Sequence, residues 1–298
     1  MFYEFALAGE RDRNYLIEIE NDTNKVVSRK LRGYREMWSI SNKGNEMVNR
    51  SGASHIHAVP QFQGKIPLLD GTVLDCEGLS RQAEGEKYSK SVFGSHYEHA
   101  AEVQKKYGNA YLAVFDILFY NGKDIRDIPF LDRHVYVEEI VRLLREHGVG
   151  DVISEKLYYE NKVGIFDKIV ADGGEGVMVK DLRAPYAENQ FMWKGQQFRG
   201  ESMIKVKKVL TRDYYIVGFT PGNGKYKDAV GAIIYGTKQN GVLTPLGKSS
   251  GMTDDVRWDM AKNQNLYIGK LAEFGGKDIN SDTGVLTHPT FIRLRDDL

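Results

Sequence analysis

Short apolar runs set off by Gly, Asn and Asp recur along the chain, a texture that predicts strands more often than helices. Tyr15-Leu16-Ile17-Glu18-Ile19 and Lys25-Val26-Val27-Ser28-Arg29 read as two strands broken by the turn composition Asn21-Asp22-Thr23-Asn24. Glu36-Met37-Trp38-Ser39-Ile40 and Glu46-Met47-Val48-Asn49 read as a hairpin turning at Asn42-Lys43-Gly44-Asn45, which returns Arg50 toward Lys30. Past Asp70-Gly71, alternation along Thr72 to Glu77 puts Asp75 and Glu77 on one face of a strand. That pair suits a metal ion or a sugar hydroxyl, and equally a solvent-facing strand end. The continuous apolar run from Ala110 to Phe119 belongs inside a sheet, with Phe115 open to core packing or to ligand stacking.

Before residue 211, helical periodicity is confined to Ser95 to Tyr107, to Asp132 to His147 with Asp132 as N-cap and Gly148 as the stop, and to Asn161 to Ala171. Glu175-Gly176-Val177-Met178-Val179-Lys180 follows as a strand whose two charged ends face opposite ways unless the chain bulges at Gly176. Between Lys194 and Arg212 lie six basic residues (Lys194, Arg199, Lys205, Lys207, Lys208, Arg212) and one acid, Glu201. Alternation there puts Lys205 and Lys207 on one face and Ile204 and Val206 on the other, the pattern of a half-buried edge strand. After Thr211 short strands with glycine turns take over, at Tyr214 to Thr220, Ala229 to Gly236, Val242 to Leu246 and Leu266 to Phe274, with a helix near Thr253 to Asn263. The expected architecture is α+β, with one domain over residues 1–210 and a small OB-fold β-barrel over 211–298.

Composition adds exclusions. The 298 residues carry 41 Lys+Arg against 41 Asp+Glu, so nucleic-acid binding would have to come from local basic patches. One cysteine, Cys76, rules out an intramolecular disulfide and a cysteine-built zinc site, and points to a reducing, intracellular compartment. No apolar run approaches the roughly 20 residues that span a bilayer, and Met1 to Arg13 has no signal-peptide pattern, so no membrane association is expected.

Candidate chemistry centres on Lys30-Leu31-Arg32-Gly33-Tyr34-Arg35. A lysine attacks phosphorus only as the free amine, and burial with cationic neighbours favours that form. Arg29, Arg32 and Arg35 supply the neighbours. Gly33 lets backbone approach a ligand closely.

Taken in order, these segments resemble the ATP-dependent DNA ligases, in the superfamily that also holds RNA ligases and mRNA capping enzymes. Lys30 to Arg35 resembles the nucleophile motif Lys-x-Asp-Gly-x-Arg, with Arg32 in place of the aspartate. Arg50-Ser51-Gly52 resembles the element that grips the 5′-phosphate at a nick, and Asp75-Cys76-Glu77 resembles Asp-Gly-Glu with Cys76 in place of glycine. Phe115-Asp116 is similar to the strand whose ring stacks on adenine. Glu175 to Lys180 matches Glu-Gly-hydrophobic-hydrophobic-hydrophobic-Lys throughout, and Lys205-Val206-Lys207 matches Lys-x-Lys, with Met203 where tryptophan is common. The closing His288 to Asp297 resembles the element that orients pyrophosphate, with Leu298 where a lysine would stand.

The resemblance implies a nucleotidyltransferase (adenylation) domain of antiparallel sheets with flanking helices, and Lys30 as the residue that becomes lysyl-AMP. It implies ATP held by Arg35, Glu77, Phe115, Lys180, Lys205, Lys207, Arg293, Arg295 and Asp297. Mg²⁺ or Mn²⁺ would sit on Glu175, Glu77 and Asp75, and Arg50 would take the 5′-phosphate of nicked double-stranded DNA, with the protein acting as a monomer. Ala6-Leu7-Ala8-Gly9-Glu10-Arg11 offers a rival alignment of the nucleophile motif, but it has alanines where lysine and aspartate belong and would leave the chain inactive. The alternatives to a DNA ligase are an RNA ligase or GTP-using capping enzyme, and an inactive duplex-binding homologue.

Overall fold

A computed structural model describes residues 4–81, 86–186, 192–193, 196–197, 200–276, 278–280 and 285–295. The chain divides into two compact units, Met1–Lys207 and Lys208–Leu298. In chain order the first runs β1 (Ala8–Arg11), α1 (Asn14–Glu18), β2 (Lys25–Arg29), β3 (Tyr34–Ile40), β4 (Glu46–Asn49), β5 (Thr72–Leu79), α2 (Glu86–Phe93), α3 (Tyr97–Tyr107), β6 (Tyr111–Tyr120) and β7 (Lys123–Asp124). It continues with α4 (Phe130–Glu146), β8 (Val152–Ser154), β9 (Leu157–Tyr158), α5 (Lys162–Ala171), β10 (Gly176–Asp181), the short β11 (Met192–Trp193) and β12 (Gln196–Gln197), and β13 (Gly200–Lys207).

Two sheets carry this unit. One has the order β1-β13-β10-β2-β9, the other β4-β3-β5-β6-β7 with β8 beside β6. Pairing is antiparallel except at β1–β13 and β6–β8. Strand alternation gives each sheet an apolar outer face. Val27, Val177, Val179, Ile204 and Val206 of the first pack on Leu16 and Ile19 and on Phe166 and Ile169 of α5. Trp38, Leu74, Cys76, Leu112 and Val114 of the second pack on Phe93 and on Val137, Ile140 and Leu144 of α4. The inner faces meet where Met37, Val73 and Leu118 contact Phe5, Ala6, Tyr186 and Met203. Beyond that apolar patch the inner faces are lined by charged side chains.

Four local expectations need correction. Tyr15 to Glu18 is part of helix α1 rather than a strand, because Leu16 and Ile19 are buried while Ile17 is exposed, a spacing of three that only a helix satisfies. Helix α4 begins two residues before Asp132, with Pro129 at the N-cap; its first amides, Phe130 and Leu131, donate to the carbonyls of Ala184 and Leu182. The Lys205–Lys207 strand is not at an edge, since β13 lies between β1 and β10. Leu266 belongs to a short helix rather than to a strand.

The second unit holds β14 (Leu210–Pro221), β15 (Val230–Gln239), β16 (Val242–Ser249), α6 (Asp254–Lys262), α7 (Gln264–Tyr267), β17 (Leu271–Gly276), β18 (Asp278–Ile279), β19 (Leu286–Thr287) and β20 (Thr290–Leu294). Its antiparallel sheet runs β16-β15-β14-β17-β20 around a core of Tyr214, Ile216, Ile233, Tyr235 and Phe274. A bridge joins Ser250, just past β16, to Thr290 at the start of β20. Thr253 caps α6, its hydroxyl accepting the Val256 N–H. Among the described residues no helix is long and apolar enough to cross a membrane.

The β3–β4 hairpin is fastened from behind by a buried pair. Glu36 has no solvent exposure, and its Oε1 lies 2.6 Å from His55 Nδ1. Burial pushes the Glu36 carboxyl up to about 7 from an ordinary 4.5, against the pull of His55. A carboxyl raised in the folded state takes up a proton on folding, so its contribution is fully present below about pH 4.5 and is lost as pH rises through 7. The melting temperature therefore falls on going from about pH 5 to 8, and Glu36→Gln should flatten that fall in a calorimetric pH series. An equal slope in both proteins would show that Glu36 is not the titrating group.

Candidate active site

The β2 strand ends at Arg29, and the chain leaves it with the Lys30 amide still donating to the Gly176 carbonyl at 2.9 Å. That bond sets Lys30 beside the start of β10, and its Nζ donates to Glu175 Oε2 at 2.8 Å. Gly176 makes this approach possible. Its φ is +141°, and a Cβ there would sit 2.1 Å from the Val206 carbonyl oxygen, so no larger residue fits between β10 and β13. The bulge foreseen at Gly176 is thus a close backbone contact with positive φ.

Glu175 collects more than one cation. Arg32 Nε lies 3.8 Å from the oxygen that Lys30 holds, and Lys207 Nζ lies 3.9 Å from the other. Lys205 and Lys207 both face the inner side of their sheet, as alternation requires, and both reach Glu10 of β1, at 2.8 and 3.6 Å. Burial would raise the Glu10 carboxyl, but the two lysines hold it below the usual range. Burial, with Lys205 and Lys30 close by, lowers the Lys207 amine, and Glu10 and Glu175 only partly offset this.

Across from these groups stands the second sheet. Gly33 donates its N–H to Glu77 Oε1 at 2.9 Å, and a Cβ on Gly33 would come within 2.4 Å of the Gly78 carbonyl. Burial pushes the Glu77 carboxyl up to about 7, against Arg35, the Gly33 amide and Lys30. Asp75 and Glu77 do share a face, as expected, yet Asp75 is wholly buried. Arg35 grips both of its oxygens, at 3.0 and 2.6 Å, and the Tyr186 hydroxyl donates to it at 2.7 Å. Burial alone would lower the Arg35 guanidinium, and Asp75 more than reverses that.

The three carboxylates expected to hold a metal differ in their partners. Asp75 is held by Arg35 and Tyr186, Glu77 accepts the Gly33 amide on one oxygen, and Glu175 is paired with cations. Among the described residues no three His, Cys, Asp or Glu side chains come together as a metal site. Of the three carboxylates, Asp75 has both oxygens taken by protein donors, whereas, among the described residues, Glu77 Oε1 accepts only the Gly33 amide. Lys180 differs from the other inner-face lysines. It lies on the inner face but is buried, its Nζ donating to Glu155 Oε2 at 2.5 Å and to the Phe115 carbonyl at 3.1 Å, so this amine is committed to a structural ion pair. Burial raises Glu155 despite Lys180 and the Ser28 hydroxyl, which donates to its other oxygen at 2.6 Å.

The half-buried Phe115 ring lies on the inner face, with the Arg35 guanidinium and the Lys180 amine 5.3 and 5.1 Å from its centroid. Arg50 is exposed just past β4, in a loop pinned by Asn49 Oδ1, which accepts the amides of Ser51 and Ala53. Arg293 donates to Glu273 at 2.8 Å and Arg295 to Asp213 at 2.7 Å, both within the second unit. Asp297, Leu298, Lys194 and Arg199 lie outside the described residues. The rival segment from Ala6 to Arg11 holds no nucleophile; it forms β1 and the Ala6 carbonyl that accepts from Arg35 at 2.6 Å. Sequence reasoning missed Glu10 and Glu155, whose partners stand 195 and 25 positions away along the chain.

A lysine amine on a carboxylate, two further lysines on one strand and a ring on the facing sheet match the order of the motifs read from the sequence. The ATP dependent DNA ligase domain model matches residues 1–207. The chain belongs to the ATP-dependent DNA ligase domain family. Its relatives include the DNA ligase of Methanopyrus kandleri, 29% identical over 215 residues, covering 63% of this chain and 36% of that protein. A probable DNA ligase of a Nocardioides species is 33% identical over 166 residues, covering 53% of this chain and 30% of the relative. The chain thus spans about a third of the length of these ligases. Among solved structures, a Lig E DNA ligase shares the fold over 99% of this chain and 100% of its own, with a TM-score of 0.66 at 18% identity. The ATP-dependent ligase of bacteriophage T7, solved with ATP, covers 97% of each chain at a TM-score of 0.53 and 17% identity.

In this ligase-family chain Cys76 stands where the motif carries glycine, and it points into the outer core with Leu74 and Val114, away from Asp75 and Glu77. The exchange leaves the inner face unchanged. For Gly176→Ala, the clash with β13 should cost on the order of 2–4 kcal/mol, read as a lower urea midpoint; an unchanged midpoint would mean that β10 and β13 separate freely.

Proposed function

We propose that the chain is an ATP-dependent DNA ligase that seals nicks between a 5′-phosphate and a 3′-hydroxyl in duplex DNA. The observation that carries this reading is the Lys30 amine held 2.8 Å from Glu175 among Arg32, Lys205 and Lys207. Three cationic side chains within 4 Å of one carboxylate suit a site that receives a polyphosphate. Phe115 offers an aromatic face for the base, and Lys205 and Lys207 offer charge for the phosphates.

In the first step the Lys30 nitrogen forms a bond to the α-phosphorus of ATP while the bond to the bridging oxygen breaks and pyrophosphate departs. Glu175, already the acceptor of the Lys30 N–H, is placed to take the proton. The lysyl-bound AMP then moves to the 5′-phosphate at the nick, which Arg50 orients through bidentate contacts. Attack by the 3′-hydroxyl forms the phosphodiester and releases AMP. For the second unit, the sheet order β16-β15-β14-β17-β20 and the Ser250–Thr290 bridge support an OB-type barrel, a fold suited to gripping a nucleic-acid backbone.

Incubation with α-labelled ATP and Mg²⁺ should leave covalent label on the wild type and none on Lys30→Ala. Label on both would sink the nucleophile assignment. No label on either would favour an inactive duplex-binding homologue, and label from GTP alone would favour a capping enzyme. Arg50→Ala should keep self-labelling and lose about tenfold to a hundredfold in sealing of a nicked duplex, the range expected for one charge-assisted phosphate contact. Equal sealing by both proteins would place the 5′-phosphate elsewhere.

A further inference from the structure

The acids that pair with inner-face cations differ widely in exposure. Side-chain exposure is nil at Asp75, 7% at Glu155 and 12% at Glu175, against 53% at Glu10. The pairing of β1 with β13 fixes where Glu10 stands. It is in register with Lys205, and the strands lie so close that a Cβ on Gly9 would come within 2.7 Å of Ile204 Cδ1. Glu10 Oε2 lies 2.8 Å from Lys205 Nζ and Oε1 lies 3.6 Å from Lys207 Nζ, so one carboxylate spans two amines with its two oxygens. Burial would raise this carboxyl, but the lysines hold it below the usual range, so it stands as an anion. A carboxylate carries two oxygens on one carbon much as a phosphate carries its oxygens on phosphorus, and both draw charge-assisted hydrogen bonds from ammonium groups. Glu10 thus occupies the two amines in the way a phosphate would.

We propose that Glu10 is an internal competitor for phosphate, holding Lys205 and Lys207 until a nucleoside triphosphate displaces it. The inference rests on the nucleotide-binding reading above and deepens it by naming a residue that sets how tightly the phosphates are held. An ion pair this open contributes little to stability, so it is released at small cost, and the exposed side chain turns to solvent without unpacking the core. The buried acids lack that freedom. Should the carboxylate stay beside the bound phosphates, the like charges repel instead. In either course Glu10 weakens binding, whereas an acid that merely held the lysines in place would strengthen it.

The test is equilibrium binding of ATP with Mg²⁺ to the full chain, by calorimetry. Glu10→Gln keeps the size of the side chain and removes its charge, and should bind ATP about fivefold more tightly than the wild type, the upper weight of an exposed ion pair. Glu98→Gln makes the same change of net charge at an exposed position on α3 and should leave the affinity unchanged. In a Lys205→Ala background Glu10→Gln should gain less than about twofold, because its nearer partner is gone. Equal or weaker binding by Glu10→Gln, the same gain from Glu98→Gln, or an undiminished gain without Lys205 overturns the proposal and leaves the nucleotide reading intact. Binding of ATP by neither the wild type nor Glu10→Gln overturns the nucleotide reading itself, and this proposal with it. Equal melting temperatures for the wild type and Glu10→Gln exclude a change of folding as the source of the gain.

Discussion

One carboxylate organises the inner face of the first sheet. Cationic side chains brought within a few ångströms of each other repel, and they stay together only around a counter-charge. Glu175 is that counter-charge for Lys30, Arg32 and Lys207. Its position is set by backbone, not by side-chain choice. The register Val177↔Arg29 on one side of β10 and Gly176↔Lys207 on the other fixes where both neighbouring strands deliver their cations. A residue with a Cβ at Gly176 would wedge β10 from β13 and separate Glu175 from Lys207. The chemistry of the cleft is thus linked to the packing of a single glycine.

The acids of the inner faces divide into two kinds by depth. Asp75 and Glu155 lie deep, each neutralised by one fully committed cation, Arg35 and Lys180. Breaking either pair would strand a buried charge, which costs several kcal/mol. Glu10 and Glu175 lie nearer solvent and share cations between them. Lys207 sits between both, its amine lowered by burial and by its cationic neighbours. A ligand bearing several negative charges can compete for this second group and not for the first.

Much of this was legible in the sequence wherever one strand's alternation decided the outcome. Asp75 with Glu77 and Lys205 with Lys207 follow from a period of two, and the pairing of β3 with β4 follows from the turn composition between them. What alternation does not carry is the partner across the sheet. Lys180 carries the same charge as Lys205, and only the arrival of Glu155 from the link between β8 and β9 pairs it. Glu10 became visible only once β1 paired with β13, a parallel contact between segments nearly two hundred residues apart. The misread helix α1 is a shorter-range failure, since five residues of Tyr, Leu and Ile suit either period until burial of Leu16 and Ile19 selects one.

The same distinction of faces settles what each departure from the ligase motifs does. Cys76 lies on the outer face of its sheet, so its thiol is a packing element of the core shared with α4. Met203 lies where the inner faces close on one another, beside Phe5 and Tyr186, and fills space in that apolar patch. Arg32 alone among these three stands on the wall of the cavity at Lys30, within reach of the carboxylate that the amine uses. Two substitutions are therefore absorbed by packing, whereas exchanging an acid for a base at position 32 changes the formal charge beside Lys30 and Glu175 by two units.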